Sequence, residues 1–223
     1  MFDAVFFDLD GTLVDTAHDF ERAINGLLRA EQLPTVSYER IRQQVSNGAR
    51  ALTSLAFNLT PEDAAFETRL AQLLDAYEAA ISAQSQLFAG MDQVLALLRA
   101  KSIPWGVVTN KPARFTAPIM AALSLDDACA IICPDHVKAR KPDPEGLLLA
   151  AGLARVLPSR CLYVGDHERD IAAGQNAHMA TAACRFGYIE PGDDITNWQA
   201  DFMLDSPLDL LPLLQPDSRS EPA

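Results

Sequence analysis

Apolar residues gather along this chain in short runs, with longer stretches of helical periodicity between them. The runs are Ala4–Leu9, Trp105–Thr109, Ala130–Cys133, Cys161–Gly165, Thr181–Cys184 and Phe202–Leu204. Each of the first four is followed by polar or glycine-rich residues and then by an amphipathic pattern at helical spacing. Strands that alternate with helices in this way predict a parallel sheet covered by helices on both faces. The fold class expected is therefore α/β, a doubly wound, Rossmann-like parallel sheet.

Residues 16–86 break the rhythm, because they hold helical patterns and no convincing strand. Helices are expected at 17–31, 37–44 and about 49–57. A further one is expected to open at Thr60-Pro61-Glu62-Asp63, where a capping Thr, a Pro at the first position and an acid three residues after the cap coincide. It would run through Leu70, Leu73, Leu74, Tyr77 and Ile81. The organisation that follows is a sheet domain made of residues 1–15 and 87–214, a small all-helical domain at 16–86 inserted after the first strand, and a polar, flexible tail at 215–223.

In a sheet of this kind the ligand sits beyond the carboxyl ends of the strands. Asp8, Thr109 and Asp166 all stand at such ends, so the pattern gathers them at one crevice. Asp8 and Asp10 are one residue apart there, and two like charges at a strand end cost stability unless a cation or a shared proton relieves them.

Composition narrows the classes. The chain has 223 residues, 49% of them hydrophobic, which is enough for one large or two modest cores. Its formal charge of −12 argues against a nucleic-acid partner. An anionic substrate stays open, since a metal and a few local basic groups reverse the field within one pocket. No run is long enough to span a membrane and the N-terminus starts on a strand, so a cytoplasmic protein without a membrane partner is expected. Cys129, Cys133, Cys161 and Cys184 form no CxxC pair and are expected to be reduced core thiols.

Four features carry the chemistry: Asp8-Leu9-Asp10-Gly11-Thr12, Val107-Val108-Thr109-Asn110, Lys141-Pro142 before a helix, and Val164-Gly165-Asp166-His167-Glu168-Arg169-Asp170. Singly each reads as well as a turn, a helix cap or a surface lysine. In this order on this fold they resemble the four motifs of the haloacid dehalogenase superfamily, and the resemblance covers essentially the whole chain. The helical insertion looks like that superfamily's cap. The resemblance implies a phosphoryl-transfer enzyme with Asp8 as nucleophile and Asp10 as general acid and base. Asp8, Asp166 and the carbonyl of Asp10 would hold Mg²⁺, for which hard oxygen ligands are suited. Thr109 and Asn110 would hold the transferring phosphoryl oxygens and Lys141 would neutralise them. Asp170 would orient Lys141 or a metal-bound water. The departure is His167, where many relatives carry a second Asp. It is expected to remove an outer acceptor and weaken metal affinity, with a histidine ligand to a softer metal as the alternative.

Asp10 argues against the dehalogenases of that superfamily, whose leaving halide needs no proton. In the insertion, Asn47-Gly48 and Arg50 fall at a break between helical patterns and are expected to reach the substrate's non-phosphate end, Arg50 pairing with a carboxylate. That stretch, with Trp105–Pro112, Cys133–Val137 and Phe186–Ile189, looks most like the bacterial N-acetylmuramic acid 6-phosphate phosphatases of peptidoglycan recycling, a group often labelled phosphoglycolate phosphatase. A small phosphorylated metabolite bearing a carboxylate is the partner this implies. Phosphoglycolate is the alternative substrate, and a β-phosphoglucomutase-like mutase or a non-catalytic binding relative are the remaining readings. Oligomeric state is left open by the sequence.

Overall fold

The computed structural model describes residues 2–215, so the expected tail at 215–223 lies, apart from Gln215, outside the described residues. In chain order the elements are β1 (Ala4–Phe7), β2 (Val14–Asp15), α1 (Ala17–Ala30), α2 (Tyr38–Arg42), α3 (Gly48–Phe57), α4 (Phe66–Ala80), β3 (Gln86–Leu87), α5 (Met91–Ala100), β4 (Trp105–Val108) and α6 (Ala113–Ala122). They continue as β5 (Ala130–Ile132), α7 (Glu145–Ala154), β6 (Cys161–Gly165), α8 (Glu168–Asn176), β7 (Ala180–Cys184), β8 (Phe202–Leu204) and α9 (Leu210–Leu213). Six strands form one parallel sheet in the order β5-β4-β1-β6-β7-β8.

β1 lies at the centre because all four of its residues are apolar and both of its faces are covered. Its alternate residues face opposite cores. Val5 and Phe7 pack with Val94, Leu95 and Leu98 of α5 and Ile119 of α6, whereas Ala4 and Phe6 pack with Leu147 and Ala150 of α7 and Ala173 of α8. Burying each phenylalanine stabilises the strand by about 1.5–3 kcal/mol, and that anchorage fixes the position of Asp8 at its end.

The chain leaves the sheet through β2 and returns through β3, which pair antiparallel with Val14 opposite Leu87 and Asp15 opposite Gln86. Between them, α1 to α4 pack on one another. α1 buries Ala17, Phe20, Ala23, Ile24 and Leu28, a stripe at helical spacing. Phe20 stacks on Tyr77 of α4 with ring centroids 3.9 Å apart, and Phe115 of α6 meets Tyr77 edge-on at 5.5 Å. The N–H groups of Thr16, which precedes α1, and of Ala17, its first residue, donate to the hydroxyl of Tyr188, which in turn donates to Asp15.

Four sequence expectations are corrected. α4 begins at Phe66, not after Thr60. Asp63 accepts from both the N–H and the hydroxyl of Thr60, and the backbone passes through tight turns at Asp63 and Phe66 before the helix propagates. The helix expected at 37–44 stops at Arg42 and gives way to a 3-10 turn at Val45–Asn47. The strands expected to reach Leu9, Thr109 and Cys133 end at Phe7, Val108 and Ile132, so those residues begin the loops. Cys129 is exposed, whereas Cys133, Cys161 and Cys184 are buried. No helix among the described residues is long and apolar enough to cross a membrane.

Candidate active site

Parallel register brings the strand ends together. Phe7 lies opposite Val107 and Val164, so the next residue, Asp8, stands beside Val108 on one side and Gly165 on the other. Asp8 is buried, and its Oδ1 accepts from the N–H of Leu9 at 2.7 Å and from Nζ of Lys141 at 2.9 Å. Lys141 Nζ also meets Asp170 Oδ1 at 2.7 Å and the hydroxyl of Tyr163 at 2.8 Å. All three donors of that ammonium are thus used. Burial works against its charge, but Asp170 and Asp8 outweigh the loss and raise its pKa.

Asp8, Asp166 and Asp170 place carboxylate oxygens within 4.8 Å of one another, all buried. Loss of solvent, with Asp170 and Asp8 beside it, pushes the carboxyl of Asp166 up to about 7. Asp170 is raised as well, by burial, with Lys141 opposing. The backbone is shaped around Asp166. Gly11 has φ +81°, and a Cβ there would fall 2.1 Å from Asp166 Oδ2; one on Gly187 would fall 2.2 Å from Asp166 Cβ. Asp166 accepts from the N–H of Tyr188 at 2.8 Å and from the hydroxyls of Thr12 and Ser46, each at 3.2 Å.

Asp10 is reached by two donors on one oxygen, Oδ1: the hydroxyl of Thr16 and Nζ of Lys111 at 2.8 Å. Thr109 is buried at the end of β4, and its hydroxyl accepts from the N–H of Lys111. The side-chain amide of Asn110 forms a reciprocal pair with the backbone of Lys141, both bonds 3.1 Å. Its amide group therefore holds the Lys141 loop.

A cavity of about 590 Å³ opens over these groups. Asp8, Asp10, Thr109, Asn110 and Lys141 line it from the sheet, and Phe20, Val45, Leu70, Leu74 and Tyr77 line it from the helical insertion. Arg50 also lines it, but is half exposed, pairs with Glu67 at 2.8 Å and lies over the Phe66 ring. Asn47 donates to Glu190 at 2.7 Å, and Gly48 starts α3 with φ +80°. His167 lies outside the carboxylate cluster. It caps α8, its Nδ1 accepting from the N–H of Arg169 while its own N–H donates to Asp170. Burial, helped by Arg169, lowers its pKa.

Three participants were missed by sequence reasoning. Ser46, in the 3-10 turn before α3, touches Asp166 directly, and Arg169 donates to the Ser46 carbonyl. Lys111 joins Asp10 to Tyr77 of α4 at 2.8 Å. For Lys111 a signal existed: a lysine three residues beyond the end of β4, directly after Thr109-Asn110. Ser46 and Arg169 meet across 123 positions, and local pattern gives no sign of it.

Comparison with known proteins identifies the family. The model of the family described as haloacid dehalogenase-like hydrolase matches residues 2–178. The chain is 47% identical, over 93% of its length and 93% of the other's, to N-acetylmuramic acid 6-phosphate phosphatase of Pseudomonas putida. It is 40% identical, over 92% of each chain, to a phosphoglycolate phosphatase of Xanthomonas campestris pv. campestris. Among solved structures, a predicted phosphoglycolate phosphatase from Haemophilus somnus superposes with a TM-score of 0.83 at 28% identity, covering 96% of this chain and 98% of that one.

Proposed function

The chain belongs to the haloacid dehalogenase-like hydrolases and is a phosphatase, and from that premise we propose that it hydrolyses N-acetylmuramic acid 6-phosphate through an aspartyl-phosphate on Asp8. One carboxylate oxygen of Asp8 attacks phosphorus as the bond to the sugar O6 breaks, and Asp10 gives its proton to the departing oxygen. Asp10, now ionised, takes a proton from the water that attacks the acyl phosphate, which frees Asp8 and inorganic phosphate. Lys141, held between Asp8 and Asp170, balances the phosphoryl charge, and Thr109 and Asn110 border the phosphoryl end of the cavity.

The donor set suits Mg²⁺. Three buried carboxylates face one fully buried ammonium, an excess of negative charge that a divalent cation relieves, and the available ligands are hard oxygens. Asp8, Asp166 and the carbonyl of Asp10 would hold it, with Asp170 tied to Lys141. When bound, the cation supplies charge that lets a phosphate dianion approach the carboxylates.

The substrate assignment is carried by the cavity. Its 590 Å³ is of the size that encloses a whole small molecule, and the insertion lines it with apolar and aromatic side chains, Phe20, Val45, Leu70, Leu74 and Tyr77, beside the polar Ser46, Asn47 and Arg50. A sugar fills such a space, whereas a two-carbon glycolate leaves most of it to water. Identity of 47% to a phosphatase named for the muramate substrate supports the same reading. The helical insertion would act as the cap that encloses the sugar, with Arg50 turned from Glu67 toward the lactyl carboxylate, and the enzyme would serve cytoplasmic salvage of peptidoglycan sugars. Phosphoglycolate is the second reading, because relatives of that name match at 40%. Measuring kcat/KM for both phosphates with Mg²⁺ decides between them. We expect the muramate to exceed phosphoglycolate by more than about tenfold, on the order of 1.4 kcal/mol of transition-state binding; the reverse order would overturn the assignment.

A further inference from the structure

The motifs leave Lys111 without a task, yet it is among the most enclosed charges in the molecule, its side chain 6% exposed. Its Nζ donates to Asp10 Oδ1 and to the Tyr77 hydroxyl, both at 2.8 Å, and it sits against the rings of Tyr77 and Phe20, 4.7 and 5.0 Å from their centroids. An ammonium so buried stays only where its partners are fixed. Thr16 donates to the same Oδ1.

Two donors on Oδ1 make that oxygen an acceptor. When Asp10 carries a proton, the proton must then sit on Oδ2. General acid catalysis needs that one oxygen within hydrogen-bond reach of the leaving group. The clamp that selects it is anchored through Tyr77 on α4, an element of the helical insertion rather than of the sheet.

Resting on the reading of Asp10 as the acid, we propose that Lys111 is a positioning residue. It holds Oδ1 of Asp10, leaves the proton on Oδ2, and makes that arrangement depend on Tyr77. The acid is then correctly turned only while α4 is seated. The alternative is a structural strut between the two halves of the molecule.

The test is the single-turnover rate of leaving-group release, measured with Mg²⁺ for p-nitrophenyl phosphate and for whichever of N-acetylmuramic acid 6-phosphate and phosphoglycolate is turned over. Lys111→Met, Tyr77→Phe and, as reference, Asp10→Asn are compared with the unaltered protein. Tyr77→Phe keeps the ring and its stacking, so it guards against a folding defect in Lys111→Met. An alkoxide needs the proton and a nitrophenolate scarcely does. We expect both variants to lose more than about tenfold on the alkyl phosphate, a part of the 10²–10⁴ that acid catalysis supplies, with less than about threefold on the aryl phosphate and KM little changed. Equal losses on the two substrates, or a loss confined to KM, would overturn the proposal in favour of the strut. If Asp10→Asn itself shows no dependence on the leaving group, the acid role falls and the proposal with it. If Asp10→Asn shows that dependence and Lys111→Met does not, the proposal alone falls.

Discussion

Asp8 receives both of its hydrogen bonds on one oxygen, from Leu9 and from Lys141, and this fixes the plane of its carboxylate. An amide in the same place keeps the shape but has no anionic oxygen to attack phosphorus. Asp8→Asn is therefore expected to reduce turnover of p-nitrophenyl phosphate to background while circular dichroism remains that of the folded protein. Recovery of near-normal hydrolysis would exclude the covalent route. At this scale, strand-end spacing singled out Asp8, Thr109 and Asp166, because strand ends in a parallel sheet must converge, while Asp10, Lys141 and Asp170 were drawn in by the resemblance to the haloacid dehalogenase motifs. It did not place the amide of Asn110 on the Lys141 backbone, nor Lys111 on Asp10, since these depend on how two loops pass each other rather than on either one's own pattern.

Among the elements, the sheet strands were legible because both their faces are buried, which leaves unbroken apolar runs. The start of α4 was misread because Thr60–Asp63 forms half of a capping interaction without the helix that normally follows. The turn at Val45–Asn47 is fixed by tertiary contact, as Ser46 reaches Asp166 and Arg169 holds its carbonyl. The helix after it carries Arg50, tied to Glu67 at a site exposed enough for water to weaken that pair. If Arg50 leaves Glu67 for the substrate carboxylate, Arg50→Ala should depress kcat/KM strongly for N-acetylmuramic acid 6-phosphate. The cost would be about 2–5 kcal/mol if that new pair is dry, and less if it stays wet. N-acetylglucosamine 6-phosphate, which lacks the carboxylate, should lose far less. The same factor lost by both substrates would remove Arg50 from recognition.

For the whole molecule, the buried acids couple stability to pH. Asp166 ionises near 3.8 when unfolded and near 7 when folded without metal. Below about pH 4 both states hold the proton; between about 4 and 7 only the folded state does, so stability falls as pH rises, and above 7 the penalty is constant. Relative to Asp166→Asn, the metal-free protein should lose Tm across that window. Mg²⁺, which favours ionised carboxylates, should raise Tm more at pH 7.5 than at pH 5. Thermal melts in EDTA and in Mg²⁺ at both pH values check this, and a Mg²⁺ shift that is the same at each would refute it.

The β2–β3 ladder has a consequence for how such a molecule can diversify. Val14 faces Leu87 and Asp15 faces Gln86, so the chain departs from the sheet and rejoins it at adjacent points. Once the two ends of a segment are held together, its closure entropy grows only with the logarithm of its length, about 0.6 kcal/mol for each doubling. Helices between Asp15 and Gln86 can therefore be lengthened, shortened or exchanged over evolutionary time at little thermodynamic penalty to the sheet. On the proposed function, substrate range and bond-breaking chemistry would then be inherited separately, the first through a replaceable excursion of the chain and the second through strand ends that stay in register.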